Sequence, residues 1–291
     1  MSKRTRNRII VIVGCALCVL GIMACLTILF RLKSQPKQIE TVVVEESNKE
    51  TTTSKKKKKT STSNTTLENR VSAYMEENPE LSEQQALLEV KMNLDYEPYT
   101  NIQEVEDPDA IDLLVNKYYQ LPSDYIPSDL VSVTSSGENG NVQMREEAAS
   151  AFEELVKAAK SEGIELSACS AFRSYSYQED LFENGKAQGG LEYADQWWTR
   201  PGHSEHQTGL SVDIRLDGDT SDLDAPRYSD NYPWLLEHMH EYGFILRYPD
   251  DKKNYTLIEP ESWHLRYVGV DTATEVYEQE LCWEEYVAMN R

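Results

Sequence analysis

Residues 9–30, IIVIVGCALCVLGIMACLTILF, run for 22 positions without a charge. A stretch of that length crosses a hydrocarbon core as one helix and has no stable place on the surface of a water-soluble domain. The chain is therefore expected to divide into a cytoplasmic N-terminus at residues 1–8, a transmembrane signal anchor at residues 9–30, and an exported remainder. Orientation follows from the flanks, where Lys3, Arg4, Arg6 and Arg8 precede the run and only Arg31 and Lys33 follow closely. The lysines at residues 55–59 lie more than about 20 residues beyond it, outside the window in which such charges set topology. A cleaved signal peptide has a shorter apolar core, of about 7 to 15 residues. A lipid on Cys25 would leave the apolar LTILF after it without a purpose.

The anchor is followed by a Ser/Thr/Lys-rich segment at residues 31–66, centred on ETTTSKKKKKTSTSNTT, with no periodicity; it reads as a flexible tether. As a random coil its mean reach is on the order of 35 Å. Charge separates the two parts of the chain. Residues 1–66 hold 13 Lys and Arg against 4 Glu, whereas residues 67–291 hold 16 against 46 acidic side chains, formal charges of +9 and −30. So acidic a domain repels phosphates rather than releasing their counterions, which excludes nucleic acid as a partner. A neutral or cationic ligand is easier to accept.

From residue 67 onward the pattern is globular, and 40% hydrophobic content suffices for a core. LENRVSAYMEENPELSEQQALLEVKMNL reads as two short amphipathic helices broken at Asn78-Pro79, with Ser82 capping the second. Residues 95–135, with several Pro and Asp, are expected to wrap the surface. NVQMREEAASAFEELVKAAKSEG reads as one helix closed by Gly163, and IELSACSAFRS as a strand. LSVDIRL alternates strictly, with Leu210, Val212, Ile214 and Leu216 on one face and Ser211, Asp213, Arg215 and Asp217 on the other. SWHLRYVGV is a second alternating strand, with His264 and Arg266 sharing a face. A helix ends at Gly243, and TATEVYEQELCWEEYVAMN reads as a terminal helix. The expected fold is α+β: a central antiparallel sheet with flanking helices, its polar face lining a cleft.

Within this frame SEHQTGLSVD places a histidine and an aspartate seven residues apart across a glycine. A hydrolytic zinc site takes three protein ligands of the His and carboxylate type and leaves a fourth position to water. His206 and Asp213 can supply two of them, with Gly209 turning the chain between loop and strand. ESWH offers His264 as the third, and Glu261, three residues earlier, as a general base. On a regular strand Glu261 and His264 face opposite sides, so their cooperation requires a bend, for which Pro260 provides a reason. Taken singly, each residue has an ordinary reading, as a solvated strand aspartate or a hydrogen-bonded core histidine; the combination is what points to a metal. His238 and His240 are two apart on a helix and cannot converge on one ion, and His203 reads as a loop residue.

SEHQTGLSVD fits the pattern S-x-H-x-x-G-x-x-x-D. Together with SAFRSYSYQ, YGFILRYP and ESWHLRYVG in the same order, it resembles the VanY-type D-alanyl-D-alanine carboxypeptidases, in the metallopeptidase group that includes lysostaphin and the hedgehog signalling domain. The resemblance covers roughly residues 67–290. It implies zinc on His206, Asp213 and His264, Glu261 as catalytic base, and Arg173 as the group that polarises the substrate and helps hold its carboxylate, with Gln178 and Ser204 binding beside it. It also implies a peptidoglycan stem peptide as substrate and removal of its terminal D-alanine; with the anchor at residues 9–30, the chain is expected to be a monomer at the cell membrane with its catalytic domain on the extracytoplasmic face. L,D-cleavage and endopeptidase cleavage suit the same centre and stay open, as does a non-catalytic zinc-stabilised wall-binding domain, against which a carboxylate at Glu261 argues. Two positions depart from the family pattern: Ser262, where proline is common, and TLIEPE from Thr256, where a Thr-Gly turn is usual.

Serine D,D-peptidases use S-x-x-K, S-D-N and K-T-G. The chain contains SKKK at Ser54, SDN at Ser229 and a near match, KTS, at Lys59, but the first and third lie in the tether and their order is wrong. Cys15, Cys18 and Cys25 fall in the apolar run. Cys169 and Cys282 remain in the exported part, where a disulfide is permitted but nothing in the sequence brings them together.

Overall fold

A computed structural model describes residues 66–135 and 142–290. The apolar run and nearly all of the tether lie outside the described residues, and among those described no helix is long and apolar enough to cross a membrane. Apart from single helical turns such as Lys253–Thr256, the elements run α1 (Leu67–Glu77), α2 (Glu83–Lys91), β1 (Gln103–Glu104), β2 (Tyr119–Gln120), β3 (Leu130–Ser132), β4 (Gln143–Arg145), α3 (Glu146–Ser161), β5 (Leu166–Ser170), α4 (Tyr175–Trp197), β6 (Ser211–Leu216), α5 (Tyr232–His238), β7 (Phe244–Tyr248), β8 (Glu261–Tyr267), α6 (Val270–Glu278) and α7 (Trp283–Asn290).

The centre is a four-stranded antiparallel sheet in the order β5-β6-β8-β7. Its apolar face carries Val212, Ile214 and Leu216 from β6, with Leu210 just before it, and Leu265 and Tyr267 from β8, packed with Phe152 and Leu155 of α3 and Phe244 of β7. This is the face that strict alternation marks out in the sequence, and the helix periodicity of α3 supplies its cover. Ser82 caps α2 with a reciprocal Gln85 bond, and Gly163 and Gly243 end their helical segments in the left-handed conformation, as expected.

Three expectations are corrected. Gln143–Arg145 is a strand, not the start of α3, because it pairs with β3 and the Arg145 N–H donates to the Gly209 carbonyl. Tertiary pairing there outweighs helical periodicity. The C-terminal stretch forms two helices rather than one, with Glu280 at φ 53° between them. Residues 95–135 do more than wrap the surface, since Leu113, Val115 and Leu121 enter the main core. Their short strands β1 and β2 pair in parallel, apart from the central sheet. His203 lies in a loop, as expected, but is buried, with its Nδ1 2.7 Å from the Asn116 carbonyl oxygen. No disulfide joins Cys169 to Cys282.

Gly209 links the turn that carries His206 to strand β6. Its φ is 69°, in the region where a side chain costs about 1–2 kcal/mol. A Cβ there would also stand 3.0 Å from both Arg145 Cγ and Leu130 Cδ2. Gly209→Ala is therefore expected to destabilise the protein by about 1–3 kcal/mol, read from denaturant unfolding. An unchanged midpoint would show that the turn accepts a side chain.

Candidate active site

Three elements bring the site together. His206 lies in a 3-10 turn, Glu205–Thr208, which Gly209 closes. Asp213 lies on β6 and His264 on β8, directly opposite one another in the antiparallel register. Cross-strand partners hold their side chains within a few ångströms on one face. His206, Asp213 and His264 each offer a ligand atom within 4.8 Å of the others, and all three residues are buried.

The bend that Glu261 needs is present. From Leu246↔Leu265 to Tyr248↔Glu261 the partner strand advances two residues while β8 advances four, so β8 bulges between Glu261 and Leu265. Both side chains then reach the same side, and Glu261 Oε2 stands 3.2 Å from His264 Nδ1. Burial pushes the Glu261 carboxyl above its ordinary proton affinity, with the His264 ring opposing.

The donor set fits a zinc ion. His206 Nδ1 donates to the Ala171 carbonyl at 2.6 Å, which leaves Nε2 as the lone-pair nitrogen facing the cluster. Burial and the neighbouring Arg173 lower that imidazole to about 4, keeping it in the neutral form a ligand requires. Burial alone would raise Asp213, but His206 and Arg173 hold its carboxyl well below the usual range. Asp213 Oδ1 is buried and makes no hydrogen bond, an uncompensated acceptor aimed at the cluster. Two imidazoles and one carboxylate on a pocket wall match the ligand type of open, catalytic zinc sites.

The residues singled out around the metal set also converge. Arg173, Gln178, Ser204, His206, Asp213, Glu261 and His264 all line one cavity of about 110 Å³. The Arg173 N–H donates to the His206 carbonyl at 3.2 Å, tying the two loops together. The Arg173 guanidinium lies over the ligand edge, where Nη2 donates to His206 Nε2 at 2.5 Å and to Asp213 Oδ2 at 2.8 Å. Gln178 sits in the first turn of α4, behind the Ser174 cap; its Nε2 donates to the Thr199 carbonyl while its buried Oε1 makes no hydrogen bond. The departure at Ser262 is absorbed locally, since its hydroxyl donates to Asp224 Oδ1 at 2.7 Å.

Sequence reasoning missed the aromatic wall of Trp197, Trp198, Tyr248 and Trp263. It also missed a buried set of charges beneath the ligands, Glu205, Arg247, Arg266 and Glu284. One signal was available: an arginine in the otherwise apolar FILRY of β7 demands a buried counter-charge.

The model of the VanY family, D-alanyl-D-alanine carboxypeptidase, matches residues 141–270. The chain is 40% identical over 198 residues to YodJ of Bacillus subtilis (strain 168), covering 66% of this chain and 72% of that protein. Among solved structures it is similar to the LdcB LD-carboxypeptidase, with 38% identity and a TM-score of 0.61, over 65% of this chain and 90% of that one. It is also similar to a vancomycin resistance D,D-pentapeptidase, VanY, carrying Zn(II), with 34% identity and a TM-score of 0.52, over 61% of this chain and 98% of that one.

Full-length protein is expected to hold about one zinc per chain, as a three-ligand site does. His264→Ala should lose the ion and Glu261→Gln should keep it, measured by elemental analysis after gel filtration. Zinc absent from the parent protein under chelator-free conditions would overturn the ligand assignment.

Proposed function

The chain belongs to the VanY family of D-alanyl-D-alanine carboxypeptidases, which are zinc-dependent, and on that premise we propose that it removes the terminal D-alanine from peptidoglycan stem peptides. The observation that carries this reading is the position of Glu261, a carboxylate outside the three-ligand set yet 3.2 Å from one ligand and open to the same cavity. A purely structural zinc site is closed and has no use for such a group.

His206, Asp213 and His264 would hold the zinc, which when bound supplies Lewis acidity for the scissile carbonyl and for the attacking water. Glu261 takes a proton from that water as its oxygen bonds to the carbonyl carbon. The same carboxyl then delivers the proton to the leaving amine as the C–N bond breaks. A carboxyl whose proton affinity is raised by burial suits this double role. Arg173 contributes positive charge beside the carbonyl and a planar fork for the terminal carboxylate, and Gln178 and Ser204 offer neutral polar groups near it.

The likeness to LdcB favours a second substrate reading, L,D-cleavage of a tetrapeptide stem, at the same centre. Mass spectrometry of defined stem peptides separates the two. A pentapeptide ending in D-Ala-D-Ala should lose one alanine; loss only from the tetrapeptide would establish the L,D reading. Amidation of the C-terminus should slow cleavage strongly, and equal rates on free and amidated peptides would point to an endopeptidase. Glu261→Gln should lower the rate by about 10²- to 10⁴-fold, as removal of a general base does. Arg173→Ala should cost at least about 10²-fold in efficiency, as loss of a charged contact in a desolvated site does.

The same reading makes the protein a monomer held at the cell membrane by residues 9–30, with the tether carrying the catalytic domain outward into the wall. The uncharged length of that run and the cationic residues before it support this. An alkaline phosphatase fusion joined after residue 66 is expected to be active, which requires export; an inactive fusion of normal abundance would reverse the topology.

A further inference from the structure

The catalytic reading leaves one buried carboxylate beside the metal set without a task. Glu205 immediately precedes His206, and its side chain is fully enclosed. Its Oε1 accepts from Arg247 Nε at 2.8 Å and lies 3.4 Å from Arg266 Nη1. Its Oε2 accepts from Ser211 Oγ at 3.5 Å and faces His264 Nε2 at 3.9 Å. The far end of Arg247 is gripped by both oxygens of Glu284, at 2.8 and 2.6 Å. Arg247 is thereby neutralised from two sides, while only Glu205 extends to the site.

The His264 ring has two unlike edges. Nδ1 looks toward Asp213 Oδ1 at 3.6 Å and Glu261 Oε2 at 3.2 Å, so it is the nitrogen on the donor side. Nε2 is on the opposite edge, buried and without a hydrogen bond. A neutral imidazole carries one N–H. If Nδ1 offers its lone pair to a metal, the proton belongs on Nε2, and the carboxylate facing that edge is Glu205. His206 solves the same problem with the Ala171 carbonyl.

Resting on the ligand reading above, we propose that Glu205 is a positioning residue for the metal: its carboxylate, facing the Nε2 edge of His264 at 3.9 Å, favours the proton on that nitrogen and so selects the tautomer whose Nδ1 can ligate. Arg247 and Arg266 hold the Glu205 carboxylate in place. Carboxylate–histidine–metal arrangements act in this way, and losing the outer partner weakens metal binding about 10- to 100-fold.

The test is zinc affinity of the full-length chain, measured by competition with a chromophoric chelator. Glu205→Gln is expected to weaken zinc binding about 10- to 100-fold, and Glu284→Gln, which strips a charge from the same arginine, to leave it within about threefold. Both should lower the melting temperature, so stability alone does not separate them. Should Glu205→Gln fail to fold, Glu205→Asp keeps the charge for Arg247 but draws the carboxylate back from His264, and should show the same loss of affinity. Parental affinity in a folded Glu205 variant would overturn the proposal, and so would an equal loss in Glu284→Gln, which would make the network structural only. If His264→Ala bound zinc as tightly as the parent, the ligand reading itself would fail, an outcome distinct from the other two.

Discussion

Everything at the site depends on the pairing of Asp213 with His264 across β6 and β8. Side chains alternate between faces along a strand, so a slip of one residue in this register would send Asp213 into the apolar layer and bring Val212 or Ile214 to the site. The apolar face prevents that slip. Val212, Ile214, Leu265 and Tyr267 are all committed to the core, and exposing them would cost about 1.5–3 kcal/mol each. The chemistry on one face is thus located by the hydrophobic effect on the other. The two departures from regular pairing stand at the ends of this arrangement. Cys169 is the extra residue opposite the step from Asp213 to Ile214. The bulge in β8 rotates Glu261 toward its neighbour His264.

Directly behind the ligands the protein buries two arginines and two glutamates, Arg247, Arg266, Glu205 and Glu284. Enclosing charges costs several kcal/mol per ion even after relaxation, and a well-packed apolar replacement is often as stable. Net stability is therefore a poor explanation for the cluster. Its geometry explains more, because it joins three elements that must keep their distances: the turn bearing His206, strand β7 and helix α7. A fork of fixed shape, held at both ends by carboxylates, resists displacement in a way that interchangeable methyl groups do not. Arg266 adds a second anchor by donating to the carbonyl oxygens of Ile111 and Leu113, which ties residues 95–135 to the underside of the sheet.

What could be read from the sequence follows this division. Strict alternation in LSVDIRL and WHLRYVG reveals which face is core, and Gly209 between His206 and Asp213 reveals a turn, because both are local consequences of backbone geometry. The helix caps at Ser82, Gly163 and Gly243 are local in the same sense. The bulge in β8 is not, since it is defined only by what β7 does opposite it, and ESWH by itself allows either side for Glu261. Gln143–Arg145 is illegible for the same reason: its helix-like spacing is intact, and only the presence of Leu130–Ser132 alongside makes it a strand. The buried charges were hidden by separation, since Arg247 meets Glu205 42 positions away and Glu284 37 positions away.

The charge of the domain bears differently on near and distant ligands. A formal −30 over residues 67–291 opposes, at long range, a site proposed to grip a carboxylate. Most of those acids are at the surface, however, where interactions fade beyond about 8–10 Å at physiological salt. Within the cavity the guanidinium of Arg173 is largely shielded from water, with its side chain 18% exposed, and contact interactions there are screened far less. Arg173 is the arginine among the residues that line this pocket, so the cationic group a carboxylate would meet there is at a fixed place, beside Asp213 and His206. The surface then disfavours long polyanions, which must meet many acids at once, while a single terminal carboxylate entering the cavity meets the local arginine first. Overall charge in this fold therefore selects against extended anionic partners without opposing the single terminal carboxylate of the proposed substrate.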